Sequence, residues 1–167
     1  QTDFTNHQQL IAELVATARA AQSVLVQSAH DVRSAALTGA AAQIRAHGDT
    51  ILAHNRTDLE RGAANGLTAA FIDRLTLNDS RIEAMAAGLE TIATQDDPLG
   101  RELARWQRPN GLDITRVSTP LGVIGVIYES RPNVTVDAAG LCLIAGNAVI
   151  LRCGSDSRTT SAFLAEL

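Results

Sequence analysis

Two short runs constrain this chain more than any other feature: Gly122–Tyr128 (GVIGVIY) and Ala148–Leu151 (AVIL). A strand with one wet face alternates apolar and polar residues, whereas these runs are apolar on both faces and too short for a typical helix. That pattern belongs to parallel strands covered on both sides. Between them Pro132 suits the first turn of a crossover helix, Val136, Ala139 and Leu143 share one face of it, and Gly146-Asn147 supplies its exit. A last helical stretch from about Asp156 to Leu167 completes a right-handed βαβα unit. Two such strands make too small a sheet to cover their own faces and edges, so the chain reads as a truncated part of a larger sheet.

Upstream the period is helical. Leu10, Leu14, Ala18, Ala21 and Leu25 fall on one stripe, and Val32, Ala36, Ala40 and Ile44 repeat the pattern from His30 to His47. Gly48 stops that helix, and Asp49 is the expected cap of a third helix through Ile51, Leu52 and Leu59. Asn65-Gly66 breaks the pattern, and Asn78 or Asp79 caps a further helix carrying Ile82, Met85, Leu89 and Ile92. Asp96–Gly100 reads as a turn. A β region is expected from near Trp106, where Leu112 and Ile114 alternate with Asp113 and Thr115 as in a half-buried strand. The result is an α/β fold with a helical region over 1–95 and a strand-containing region over 96–167.

Composition narrows the function classes. The net charge is −4, and the basic residues are scattered singly, which leaves no footprint for nucleic acid. All 14 basic residues are arginine, so lysine Schiff-base chemistry is excluded from this stretch. Cys142 and Cys153 have neither a CxxC nor a metal-ligand spacing, and a reducing cytoplasm is the default location. Gln1–His7 lacks the basic start and apolar run of a signal peptide, and no stretch reaches the roughly 18 apolar residues of a membrane span. His7, His30, His47 and His54 share no motif, which favours surface or capping roles over a metal site.

In an open parallel sheet, ligands bind beyond the carboxyl ends of the strands. Two loops stand there: Glu129–Asn133 after the first strand and Arg152–Asp156 after the second. If the strands are neighbours, both loops face one crevice. Arg152, Gly154, Ser155 and Asp156 suit the phosphate and ribose of a nucleotide at a helix start. From the loop alone, plain capping by Ser155 or Asp156 is the weightier reading. Neither GxGxxG nor GxxxxGK[ST] occurs, so the residues by themselves reach only a ligand crevice.

The stretch Thr119–Ser155, TPLGVIGVIYESRPNVTVDAAGLCLIAGNAVILRCGS, closely resembles the gamma-glutamyl phosphate reductases of the aldehyde dehydrogenase superfamily. RLTLNDSRIEAMAAGLE and DPLGR resemble the same family more loosely, so the likeness spans nearly the whole chain as an amino-terminal fragment. It implies amino-terminal helices plus the first part of a Rossmann-like nucleotide-binding domain, truncated before the catalytic domain. It also implies NADPH-dependent reduction of L-glutamate 5-phosphate to the 5-semialdehyde in proline biosynthesis. In the family a cysteine thiolate attacks the acyl phosphate, phosphate leaves, and hydride resolves the thioester.

That nucleophile is expected downstream of Leu167, so none of the residues present is assigned a catalytic role. Cys153 sits beside Arg152 near a helix start, a setting that suits a reactive thiol. The family usually has glycine there, which places Cys153 in the cofactor loop and argues against it as the nucleophile. Cys142, between Leu141 and Leu143, reads as a buried structural thiol. The resemblance gives Arg152 and Ser155 the ribose or 2′-phosphate of NADP, with Gly154, Asp156 and Glu129 lining the same crevice. Ser130, Arg131 and Asn133 are candidates for the substrate or its oxyanion. Ile144 and Ala145 replace the superfamily's usual lysine-serine before Gly146-Asn147. The implied partner is a small molecule, glutamate 5-phosphate, without nucleic acid or membrane, and a homo-oligomer is compatible with the family. One rival is another aldehyde dehydrogenase, which relative turnover of glutamate phosphate and free aldehydes would separate. The other is a non-catalytic helical binding module, which the length of the reading frame would separate.

Overall fold

The computed structural model describes the backbone of residues 2–167 and the side chains from residue 6 onward. Five helices come first: α1 (Thr2–Leu25), α2 (His30–Ala46), α3 (Gly48–Ala64), α4 (Ala69–Leu75) and α5 (Asp79–Ala93). Strands β1 (Glu102–Gln107), β2 (Asp113–Val117) and β3 (Val123–Ile127) follow, then α6 (Pro132–Ile144), β4 (Ala148–Arg152), a 3₁₀ turn (Ser155–Ser157) and α7 (Arg158–Glu166).

On α2 the buried face is not the expected stripe: Val32 is 57% exposed and Ala36 is exposed, while Arg33, Leu37 and Ala41, one residue round the helix, turn inward with Ile44 to meet the stripe of α5. Leu37, Ala41 and Ile44 pack with Ile82, Met85, Ala86, Leu89 and Ile92, and the same cluster takes in Val136 and Ile144 of α6 and Leu164 of α7. Each fully buried aliphatic side chain contributes roughly 1.5–3 kcal/mol. One core therefore joins helices from both sides of residue 95. Gly140 permits the closest approach within it, because a Cβ there would lie 2.6 Å from Leu89 Cδ2.

Of the two residues offered as the cap of α5, Asn78 takes the role: its side-chain oxygen accepts from Arg81 N at 2.8 Å. Asp49 is not the cap of α3. That helix begins two residues earlier than such a cap requires, at Gly48, with His47 in the cap position, and Asp49 lies inside the first turn. A carboxylate there still meets the positive end of the helix dipole. Helix α4 is not among the elements expected from the sequence, since seven residues are too few to show a period. Asn55, 1% exposed, fixes its end by donating to Leu75 O and accepting from Leu77 N.

The β region starts earlier than expected. β1 pairs antiparallel with β2, with an irregularity between Glu102 and Ala104. Most of this hairpin is exposed, so β1 has no buried face to impose alternation. Its turn falls at Asn110-Gly111, where Gly111 has φ 85° and donates to Arg108 O.

β3 and β4 are parallel neighbours, with Val123 opposite Ala148 and Ile127 opposite Arg152. Pro132 opens α6 as expected. At its end Gly146 (φ 68°) donates to Leu143 O and Asn147 donates to Cys142 O, the paired bonds of a Schellman motif. Asn147 Oδ1 then accepts from Gly122 N at 2.8 Å, tying the start of β3 to the start of β4. Residues Ala148–Leu151 are half-buried, and α1 and α6 pack on β4. Cover on both faces fails at the end of β3, where Ile127 is 86% exposed. No described helix is long and apolar enough to cross a membrane.

Candidate functional site

The parallel register brings the two loops together. Tyr128 N donates to Arg152 O one step beyond the last strand pair, so Glu129–Asn133 and Cys153–Asp156 leave the sheet side by side. A Cβ on Gly154 would lie 2.2 Å from Ser130 Oγ and 3.0 Å from Ser130 N. Glycine is thus required here by the approach of the other loop, whatever else it serves. Ser130 Oγ also donates to Asp156 Oδ2 at 3.4 Å, a weak bond across the junction. Glu129, Ser130, Arg131, Gly154 and Asp156 share a crevice of about 180 Å³ with Phe71 and Arg74 of α4.

Capping by Ser155 or Asp156 does not occur: neither side chain bonds to a main-chain N–H of the 3₁₀ turn or of α7. The free amides of α7 are taken by another helix. Asp58 of α3, 0% exposed, accepts from Thr160 N at 2.8 Å, Thr160 Oγ1 at 2.7 Å and Thr159 N at 3.2 Å. Arg61, one turn further along α3, donates to Asp58 at 2.5 Å and to the carbonyls of Ser155 and Asp156 at 3.1 and 3.2 Å. The second loop is therefore held by its backbone from α3, which leaves the Ser155 side chain exposed and uncommitted. Sequence reasoning misses Asp58 and Arg61, because about a hundred residues separate them from the loop they hold.

Arg152 ends β4 with an exposed side chain whose Nη1 turns back to Cys153 O. Its other guanidinium N–H groups have no partner among the described residues. Arg131 and Asn133 look the other way, into an open cleft of about 450 Å³ that they line with Arg74, Arg81 and Asp137. Asn133 Nδ2 donates to Asp137 Oδ2 at 3.1 Å, one turn along α6. Ser130 faces the small crevice, so the three substrate candidates divide between two adjoining spaces with Arg131 in both. Cys142 is buried, which pushes its thiol pKa up, while Cys153 is half-buried in the loop. Among the described residues, no three His, Cys, Asp or Glu side chains gather as a metal-binding group.

No family model matches the chain. Its sequence is 54% identical over 154 residues to the gamma-glutamyl phosphate reductase of Brucella suis biovar 1, covering 92% of this chain and 37% of that protein. To the gamma-glutamyl phosphate reductase of Paramagnetospirillum magneticum it is 55% identical over 148 residues, covering 89% and 35%. The crystal structure of a gamma-glutamyl phosphate reductase from Thermotoga maritima superposes with a TM-score of 0.89 at 38% identity, over 92% of this chain and 37% of that one. The Saccharomyces cerevisiae structure of the same description gives 0.88 at 30% identity, over 92% and 39%. A propionaldehyde dehydrogenase from Clostridium phytofermentans, 15% identical with a TM-score of 0.60, shares the fold. The chain spans a little over a third of the length of the reductases it matches.

Proposed function

We propose that this chain, which belongs to the gamma-glutamyl phosphate reductases in sequence and fold, supplies the cofactor side of an enzyme reducing L-glutamate 5-phosphate to its 5-semialdehyde. The single observation that supports the reading best is the meeting of two loops at the carboxyl ends of one parallel strand pair. That is where an open α/β sheet receives its ligand. Residues 1–95 and 96–167 then form two parts of one cofactor domain, working in the cytoplasm within a longer enzyme, for which a homo-oligomer is compatible with the family.

NADPH would supply the hydride. The residues present fit it: Arg152 has guanidinium donors to spare for a 2′-phosphate, and the exposed Ser155 hydroxyl stands at the same strand end. Gly154 lets the first loop close against the second, and Glu129 and Asp156 border the crevice so formed. On the substrate side Ser130, Arg131 and Asn133 carry donors at the start of α6, whose dipole favours a developing negative charge. The thiolate nucleophile comes from elsewhere in the full-length enzyme, and Cys153 is not assigned that role.

The test is the Arg152→Ala variant of the full-length enzyme. A charge-assisted contact to the 2′-phosphate is worth about 1.5–3 kcal/mol, so NADPH should weaken roughly tenfold to over a hundredfold while NADH changes little. Equal weakening of both cofactors removes the role assigned to Arg152.

A further inference from the structure

The larger cleft lies between the α4–α5 junction and the first turns of α6, and its three guanidiniums are not equivalent. Arg81 is committed: it donates to Asp73 O and Thr76 O at 2.6 Å and to Asp73 Oδ1 at 3.1 Å, closing the end of α4. The guanidiniums of Arg74 and Arg131 donate no hydrogen bond to any described residue. Each has Glu129 as its nearest carboxylate, at 3.8 Å, beyond hydrogen-bond length. Asp73 and Asp137 also line the cleft, but Arg81 holds the first and Asn133 donates to the second, so the two forks are the groups there with hydrogen-bonding capacity to spare. Helix α6 points the positive end of its dipole at the same place, because its 13 residues begin at Pro132 with no side-chain cap.

Two arginine forks with free donors match the oxygens of a carboxylate or a phosphate better than any other common group. The volume, about 450 Å³, is that of a small-molecule site. We infer that Arg74 and Arg131 grip an anionic oxygen group of the substrate in this cleft, its α-carboxylate or its phosphate. Arg81 serves only as part of the wall. This rests on the reading above, in which the substrate is an amino-acid acyl phosphate carrying both groups.

The experiment uses the full-length enzyme and its Arg131→Gln and Arg74→Gln variants. Inorganic phosphate, L-glutamate and NADPH are titrated separately by calorimetry, beside KM for glutamate 5-phosphate. Both side chains are 46% exposed, so the neutral variants should fold, which circular dichroism verifies. The expected result is a roughly tenfold to hundredfold loss for one anion and for the KM, well above any loss for NADPH, whose crevice both side chains also border. The anion that loses affinity identifies the group held. Arg131→Lys should recover part of the loss, since the charge remains and the fork does not. Unchanged binding of both anions, no binding of either by the parent, or a parallel loss of NADPH overturns the inference. Should the cleft variants lose an anion while the parent fails to turn over glutamate 5-phosphate, the functional reading falls and the cleft stands. Normal turnover with unaffected variants leaves the functional reading standing and removes the cleft.

Discussion

Replacing Asp58 with alanine should be among the most damaging single changes in this chain, although Asp58 touches neither cleft. The carboxylate is fully buried and is the acceptor for Thr159 N, Thr160 N and the Thr160 hydroxyl. Thr160 is itself 0% exposed, so alanine strands two buried donors at about 1–3 kcal/mol each. The bond from Arg61 adds little, because that guanidinium is 40% exposed and regains water. The expected loss is about 3–5 kcal/mol for Asp58→Ala and about half of that for Asp58→Asn, which keeps one acceptor oxygen. Urea unfolding followed by circular dichroism measures both, and amide exchange at Thr159 and Thr160 should accelerate. A double-mutant cycle with Thr160→Val should show coupling of at least about 1 kcal/mol. An Asp58→Ala variant within about 1 kcal/mol of the parent, or an asparagine variant worse than alanine, would refute this account of the α3–α7 junction.

Gly140→Ala should lower stability by about 1 kcal/mol. Overpacking against Leu89 and Ile92 typically costs about 1–3 kcal/mol, and only part of that is offset by the better helix propensity of alanine. The denaturation midpoint checks it, and a stabilised variant would show that the α5–α6 contact is looser than described. Arg45 hydrogen-bonds Glu83 and Glu90, and those bonds hold both carboxyls below their usual range. With folded values depressed, the cluster stabilises fully above the unfolded glutamate pKa of about 4.3 and loses its contribution as pH falls through the folded values. Thermal midpoints of the parent and Arg45→Gln should therefore converge on acidification and in high salt, and parallel pH curves would contradict this.

What can be read in the sequence is local. The apolar runs of β3 and β4, Pro132 at the head of α6 and Gly146-Asn147 at its foot each carry their own signal within a few residues. The two loops can be named as a pair on the condition that the strands are neighbours, and the register meets that condition. What stays hidden is either too short or too distant. Helix α4 has seven residues, and β1 buries too little to alternate. For the cap of α7 the sequence offers Ser155 and Asp156, the nearest polar side chains, whereas burial of α7 against α3 brings Asp58 to its first amides. Arg74 enters the larger cleft for the same reason: only folding places α4 beside the start of α6.

Asn147 makes the far end of the sheet a gauge for the near one. Its side chain sets Gly122 against Ala148, and five paired residues later the same register decides that Tyr128 meets Arg152. At about 3.3 Å per residue the loops lie roughly 16 Å from the amide that aligns them. A slip of one residue would turn every side chain of one strand to the opposite face and carry Ser130 out of reach of Gly154. The spacing of the two loops is thus calibrated by a single carboxamide at the opposite end of the strands.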